Sequence, residues 1–318
     1  MNEKNITLED FFDSSLADVE DKISDTIKDE KIKDILKGGK RLRSLLSHLA
    51  FKTCTEGKET QEEFNRALEG TVSIELAHGA SLVHDDIIDK DAERRGRPSF
   101  HIKEGVANAL LMGHKMLTTG FDIALSHGKE FAQLYVESWN GVVTGEMDEV
   151  NFNKTNGNNK LSKSELYESY RKIIDLKTAV LFSSACKSGV LDANMSGDIL
   201  NVFGNYGREI GLAYQLADDL VDLENGEMLD SVVLPLLNQI ENKKFKIGFL
   251  KKREIKKLFE KNKDEIKKYY LEQIKNHIKK AEELSSSDLI PESEYKDLLS
   301  EAPSYIINKM LKDIDIKI

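Results

Sequence analysis

The sequence predicts an all-α protein, and three observations carry that reading. Apolar residues recur at three- and four-residue spacing through long stretches, as in LYESYRKIIDLKTAVLFSSACKSGVL (166–191). Four prolines in 318 residues, at 98, 235, 291 and 303, leave those stretches uninterrupted. Alternating strand patterns joined by Gly-Asn or Asp-Gly turns are hard to find. The expectation is one large helical domain over residues 1–318, with 243–318 a helical C-terminal part packed on it. NKTNGNNKLSK (153–163) reads as a mobile loop and SSSD (285–288) as a second break.

Charge and cysteines narrow the class of protein. The net charge is −10, which disfavours nonspecific nucleic-acid binding. Residues 243–280 alone carry 15 Lys/Arg against 5 acids. Solvated helix faces explain that excess better than a contact with anionic membrane. Two distant cysteines, Cys54 and Cys186, read as buried free thiols in a reducing compartment. The acidic N-terminus lacks a signal-peptide pattern, and no apolar run of eighteen residues suggests a transmembrane segment. A cytoplasmic location is expected.

In chain order, the first chemical element is KGGKRLRSLL (37–46). Lys40 and Arg43 are placed on one face of a helix start, where preceding glycines let backbone N–H groups approach an anion. Next comes TVSIELAHGASLV (71–83), a helix with Glu75 as its one charge, hence mostly buried. It runs into Asp85, Asp86 and Asp89. Asp85 and Asp89 share a helical face about 6 Å apart. Two such carboxylates repel by about 3 kcal/mol at an effective dielectric of 20, so a cation explains them better than a solvated face. Mg²⁺ is commonly held by one or two carboxylates plus substrate phosphates. Arg94 and Arg95 follow, with Gly96 and Pro98 read as helix-stop residues. A helix-dipole role for these arginines is worth only about 0.3–1 kcal/mol. A polyanion held between metal and guanidinium suits them better. The aspartate pattern recurs in GLAYQLADDLVD (211–222), with Asp218, Asp219 and Asp222 ending a second uncharged helix and Gln215 on the face of Asp218.

Taken together, GGKRLR (38–43), SLVHDDIID (81–89), RRGRPSFH (94–101), KTAVL (177–181) and AYQLADDLVD (213–222) resemble the motifs of all-trans prenyl (polyprenyl) diphosphate synthases. The resemblance implies an all-helical isoprenoid synthase type I fold around a deep central cavity, usually as a homodimer. It implies Mg²⁺-dependent condensation of isopentenyl diphosphate with an allylic diphosphate. By resemblance, Lys40, Arg43, His78 and Arg95 would hold isopentenyl diphosphate. Arg94, Lys177 and Gln215 would contact the allylic diphosphate. Asp85, Asp86, Asp89, Asp218 and Asp222 would be the Mg²⁺ ligands. Lys177, Thr178 and Gln215 would sit near the developing cation, which apolar walls keep from water.

Three departures from the family pattern stand out. Gly113 is followed by His114 where the family commonly has Gly-Asp, and His114 is read as structural. Gly145 is followed by Glu146 where many members have Gly-Gln, a change that resembles some longer-chain relatives. The segment after the second motif, LENGEMLDSVVLPLLNQIEN (223–242), has no lysine where most members carry several. Either Lys243, Lys244 or Lys246 reaches back, or the allylic site is held by fewer cations.

Product length is read from the helix before Asp85. Ala80, Ala77 and Ser73 are small residues on roughly one face. They leave room for a product of twenty to thirty carbons, with Met112, Met116 or Leu117 as candidates for the floor from a second helix. Three rivals are weaker. A di-iron protein needs a second ExxH pair beside Glu75 and His78. A terpene cyclase or head-to-head condensing enzyme has no use for an isopentenyl site. A non-catalytic subunit of a heteromeric synthase need not keep both aspartate motifs.

Overall fold

The computed structural model describes residues 6–155, 163–225 and 252–318. Helix dominates them, as the periodicity predicts. In order they are α1 (Leu8–Thr26), α2 (Glu30–Leu36), α3 (Leu42–Thr55), α4 (Gln61–Asp89), α5 (Phe100–Glu104), α6 (Val106–Ser126), α7 (Lys129–Thr155), α8 (Lys163–Ile174), α9 (Val180–Asp192), α10 (Asp198–Glu224), α11 (Lys252–Ser285) and α12 (Glu294–Leu311). A two-stranded antiparallel ribbon, β1 (Glu93–Arg94) and β2 (Arg97–Pro98), interrupts the helices. A π-helical turn, Asp175–Ala179, joins α8 to α9. Of the expected loop at 153–163, residues 156–162 lie outside the described residues, while α7 continues to Thr155. The expected break at 285–288 is observed, because α11 ends at Ser285.

The chain forms two compact units. Unit one comprises Met1–Trp139, Leu181–Gly207 and Leu284–Glu301. Its long helix α4 starts with a capping box, Thr60 and Glu63 each satisfying the other's backbone N–H. Nearly every side chain from Ala67 to Val83 is buried, which is why this stretch tolerates so little charge. Val72, Leu76 and Ala80 meet Val19 and Ile23 of α1, Ile32 and Leu36 of α2, and Met116 of α6 in one core cluster. Leu76 and Met116 are fully enclosed, each worth about 1.5–3 kcal/mol of burial. Gly189 of α9 lets α3 approach closely, since a Cβ there would lie 2.1 Å from the Ser47 carbonyl oxygen.

Unit two comprises Asn140–Val180, Arg208–Glu283 and Ala302–Ile318. Phe152 of α7 packs on Ile173 of α8. On α11, Ile266, Tyr270 and Ile274 recur every fourth residue and are buried, while Lys261, Lys268 and Lys275 are exposed. The described part of the basic region is thus a solvated helix face, as the sequence predicts.

One buried group gives unit one a pH dependence. His48 of α3 is 2% exposed among Phe11, Phe51 and Phe64, and neither ring nitrogen has a partner among the described residues. Burial lowers its pKa to about 4 from 6.5. Below pH 6.5 the unfolded chain therefore takes up the proton more readily than the folded one. The stability is intact above that pH and is lost as pH falls towards 4. Chemical denaturation of the wild type should show a loss of about 2 kcal/mol between about pH 7 and pH 5 from this residue. His48→Leu should remove that increment, and an unchanged pH slope in the variant would refute the assignment.

Candidate functional site

In unit one the aspartates close α4. Asp85 is half-buried, Asp89 is exposed, and Asp86 turns inward. Arg94 donates from Nε to Asp86 Oδ1 at 2.7 Å and reaches Asp91 at 3.2 Å. Asp86, expected among the Mg²⁺ ligands, is buried and accepts from Arg94. One expectation is corrected. Arg94 and Arg95 do not end a helix, because Lys90 in the left-handed conformation stops α4. The two arginines lie in the β-ribbon, where Arg95 and Gly96 make the turn at φ 54° and 71°. Residues with short side chains or none favour such angles, but here an arginine adopts one. Its guanidinium donates to the Leu36 and Lys37 carbonyls at 3.4 and 3.3 Å. Arg97 binds Asp34 at 2.9 Å. The ribbon is thereby tied to α2 and to the Gly38-Gly39 loop.

Arg43 and His78 come together as expected, with Arg43 Nη1 3.1 Å from His78 Nε2. The Arg43 guanidinium also lies 4.6 Å from the Phe182 ring centroid. Burial, then Arg43 and Arg95, push the His78 pKa well below the imidazole range. The ring is therefore neutral, Nε2 accepts from Arg43, and Nδ1 carries the proton without a partner among the described residues. Lys40 is exposed and precedes α3, so it does not share a helical face with Arg43 as expected. Arg41, in the left-handed conformation, occupies the N-cap between them. Sequence reasoning passed over Arg41. It is buried, 2.9 Å from Glu75 Oε2 and 2.8 Å from Glu20, and Ser44 donates to the other Glu75 oxygen at 2.7 Å. A lone carboxylate in an uncharged buried helix demands such a partner, and that signal was present at Glu75. It also answers the ExxH reading, because Glu75 is already satisfied. His114, far from the motifs in sequence, lies beside His84, the residue before Asp85.

The small residues expected to line a tail pocket do not share one set of neighbours. Ser73 and Ala77 line a small cavity of about 20 Å³ together with Tyr135, Ser138, Trp139 and Ser184. Ala80 faces the core cluster instead, where Met116 fills the space. Met112 and Leu117 pack on that same cluster, so α7 supplies the second wall of the cavity and α6 does not. Ala80 and Ser73 point the same way on the wheel but lie seven residues, about 10 Å, apart along the axis. Their neighbours therefore differ. The cavity holds about one water molecule, so a longer guest requires side-chain movement.

In unit two the π-turn carries Lys177 and Thr178. Such turns widen the helix by one residue and frequently mark functional positions. Thr178 donates its hydroxyl to Gln215 Oε1 at 2.6 Å, and Gln215 Nε2 donates to Asp219 Oδ1 at 2.9 Å. Tyr170 of α8 donates to the other Asp219 oxygen. Burial raises the Asp219 pKa to about 7, opposed by these two hydrogen bonds. Asp219 thus serves the interior, while Asp218 and Asp222 on α10 remain half-buried. Lys177 pairs with Glu146 at 2.6 Å and with Glu149. Tyr170, Glu149 and the role of Asp219 were not legible from spacing. Lys243, Lys244, Lys246 and the 226–242 segment lie outside the described residues.

The carboxylates fit Mg²⁺. Asp85 with Asp89, and Asp218 with Asp222, are hard oxygen donors four residues apart on a helix. Among the described residues no three His, Cys, Asp or Glu side chains converge as a ready ligand set. An ion that takes one or two carboxylates and completes its shell with substrate phosphates does not need one.

Residues 26–284 match the polyprenyl synthetase family. The chain belongs to the polyprenyl synthetase family. Among relatives of this chain, geranylgeranyl diphosphate synthase of Methanosarcina mazei is 30% identical over 58% of this chain and 55% of its own length. Short chain isoprenyl diphosphate synthase of Methanothermobacter thermautotrophicus is 32% identical over 61% of this chain and 57% of its own. The chain spans little more than half the length of these relatives. Geranylgeranyl diphosphate synthase of Sulfolobus acidocaldarius is 27% identical over 88% of this chain and 84% of its own. A decaprenyl diphosphate synthase structure from Rhodobacter capsulatus has the same fold, with a TM-score of 0.79 at 19% identity, covering 95% of this chain and 98% of that one. The all-α isoprenoid synthase fold expected from the motifs is therefore present. No described helix is long and apolar enough to cross a membrane.

Proposed function

We propose that this synthetase joins isopentenyl diphosphate to an allylic diphosphate, giving an all-trans prenyl diphosphate of twenty carbons or more. The observation that carries the reading is the Arg43–His78 pair beside Arg95 in unit one. A cyclase or head-to-head enzyme binds no isopentenyl diphosphate and needs no site for it. Three of the relatives' names, two geranylgeranyl and one geranylfarnesyl diphosphate synthase, support the product class.

In this reading Asp85 with Asp89 in unit one, and Asp218 with Asp222 in unit two, would each hold Mg²⁺, which would supply neutralisation of diphosphate charge. The protein does the rest. Arg43 and Arg95 hold the isopentenyl diphosphate, and the protonated Nδ1 of neutral His78 offers it a hydrogen bond. Exposed Lys40 adds charge at the entrance to that site. Arg94 belongs to the allylic side through its tie to Asp86. Thr178 and Gln215, locked by Asp219 and Tyr170, present fixed dipoles to the allylic cation. Lys177 meets the departing diphosphate. No side chain acts as a nucleophile. The proton lost after condensation goes to the released diphosphate.

A homodimer is proposed as well, on the exposed apolar residues Val106, Leu110, Leu111 and Leu125 of α6. Leu111→Glu should shift sedimentation towards the monomer. Cys54 and Cys186 are buried free thiols, in keeping with a cytoplasmic enzyme.

The test is purified protein with Mg²⁺, isopentenyl diphosphate and a series of allylic primers, with dephosphorylated products sized by chromatography. No turnover alone, but turnover with an added partner chain, would favour a regulatory subunit. Product length has its own variants. Ala77→Phe fills the cavity and should shorten the product by one isoprene unit or more. Ala80→Phe should instead overpack the core and cost about 1–3 kcal/mol of stability. A shortened product from a stable Ala80→Phe variant would overturn this division.

A further inference from the structure

Three arginines fall within the β-ribbon, and two of them are held by carboxylates. Arg94 and Arg97 stand opposite one another across β1 and β2. Like charges in that register repel, yet each is drawn to its own side. Arg94 takes Asp86 at the end of α4, at 2.7 Å. Arg97 takes α2. Its guanidinium donates to Asp34 Oδ1 at 2.9 Å and to the Asp34 and Lys37 carbonyls at 3.1 Å each. Those carbonyls close α2, where helical donors run out. Lys103 of α5 reaches the other Asp34 oxygen at 3.0 Å.

Arg95, at the tip, is placed differently. Among the described residues the ion pairs of the ribbon belong to Arg94 and Arg97, and Arg95 has none. Its two carbonyl contacts, at 3.4 and 3.3 Å, are longer than ordinary hydrogen bonds. Arg41 and Arg95 flank Gly39, where a Cβ would stand 2.8 Å from Arg41 Nη1 and 3.3 Å from Arg95 Nη2. Burial, then Arg41, lower the Arg95 pKa, partly offset by Glu75. Arg95 is a cation short of a counter-ion. The Asp34–Arg97 pair, by contrast, is partly exposed on both sides and adds little to stability. What its forked geometry fixes is the place of the ribbon on α2. We propose that Arg97, braced by Asp34, is a positioning residue that pins the ribbon, so that Arg95 can exchange its two long carbonyl contacts for the diphosphate of isopentenyl diphosphate. The inference rests on the reading of Arg95 as an isopentenyl diphosphate contact, and it names what holds that contact in place.

Calorimetric titration of the full chain with isopentenyl diphosphate and Mg²⁺, without allylic primer, tests it. Arg97→Gln should weaken binding about tenfold, with the denaturation midpoint unchanged. In steady state KM for isopentenyl diphosphate should rise in step, while kcat stays within roughly twofold. Asp34→Asn removes a negative charge and should still weaken binding, by about threefold. A purely electrostatic effect on the anion would tighten it. This variant also keeps the test open if Arg97→Gln does not fold. Arg97→Lys should keep the charge yet fail to restore binding, because an ammonium cannot reproduce the fork. Arg95→Gln should remove most of the binding. Unchanged or tighter binding by Asp34→Asn, or full recovery with lysine at position 97, would overturn the brace alone. Undiminished binding by Arg95→Gln, or no binding by wild type, would overturn the functional reading of Arg95 and the brace with it.

Discussion

Asparagine at both Asp85 and Asp89 should lower kcat/KM by about 10²–10³-fold while leaving the denaturation midpoint unchanged. The size follows from removing charge stabilisation aimed at the leaving group. The unchanged midpoint follows from placement. Asp85 is half-buried and Asp89 exposed, so an amide at either position is solvated more readily than one in the core. Asp86→Asn should behave in the opposite way. Its carboxylate is 3% exposed and holds Arg94, so its loss leaves a guanidinium without its main partner. Stability should fall by about 2 kcal/mol or more, and activity should fall less than in the double variant. Steady-state kinetics on each protein, with midpoints measured in parallel, separates the two roles. A double variant that unfolds as readily as Asp86→Asn would show that the outer aspartates are structural.

Arg41→Met should destabilise the protein by about 3–5 kcal/mol. Arg41 and Glu75 are both buried, and removing the arginine takes away the guanidinium that Glu75 touches directly, while the Ser44 hydrogen bond stays. The double variant Arg41→Met with Glu75→Leu should recover most of the loss, because two apolar groups replace a desolvated pair. The single variant should also raise KM for isopentenyl diphosphate, since Arg41 anchors the loop between Lys40 and Arg43 to the helix that bears His78. Urea denaturation and substrate titration check both parts. Failure of the double variant to recover would mean that the pair fixes the loop more than it balances charge.

Much of this was legible from residue patterns. The uncharged run before Asp85 predicted a buried helix, and α4 is buried there. The repeated aspartate spacing placed Asp85 with Asp89, and Asp218 with Asp222, on helix faces. Arg43 and His78, 35 residues apart, were assigned to one site through resemblance and are in contact. What spacing did not show shares a cause. Asp86 and Asp219 carry the same side chain as their neighbours, and their inward partners, Arg94 and Tyr170, come from other elements. Ala80 was grouped with Ser73 by angle alone, without knowing which helix stands opposite each turn.

Helical class, the burial of α4 and the helix positions of the paired carboxylates were determined by the sequence alone, because periodicity and charge spacing act within one helix. Which carboxylate turns inward to an arginine or a tyrosine was decided only in the tertiary structure. So was the wall of the cavity, built by α7 where α6 was expected, and so was the bracketing of Lys177 by Glu146 and Glu149. Each depends on a contact between elements distant along the chain. A buried charge takes the partner that packing brings within reach, and spacing within one segment does not specify that partner.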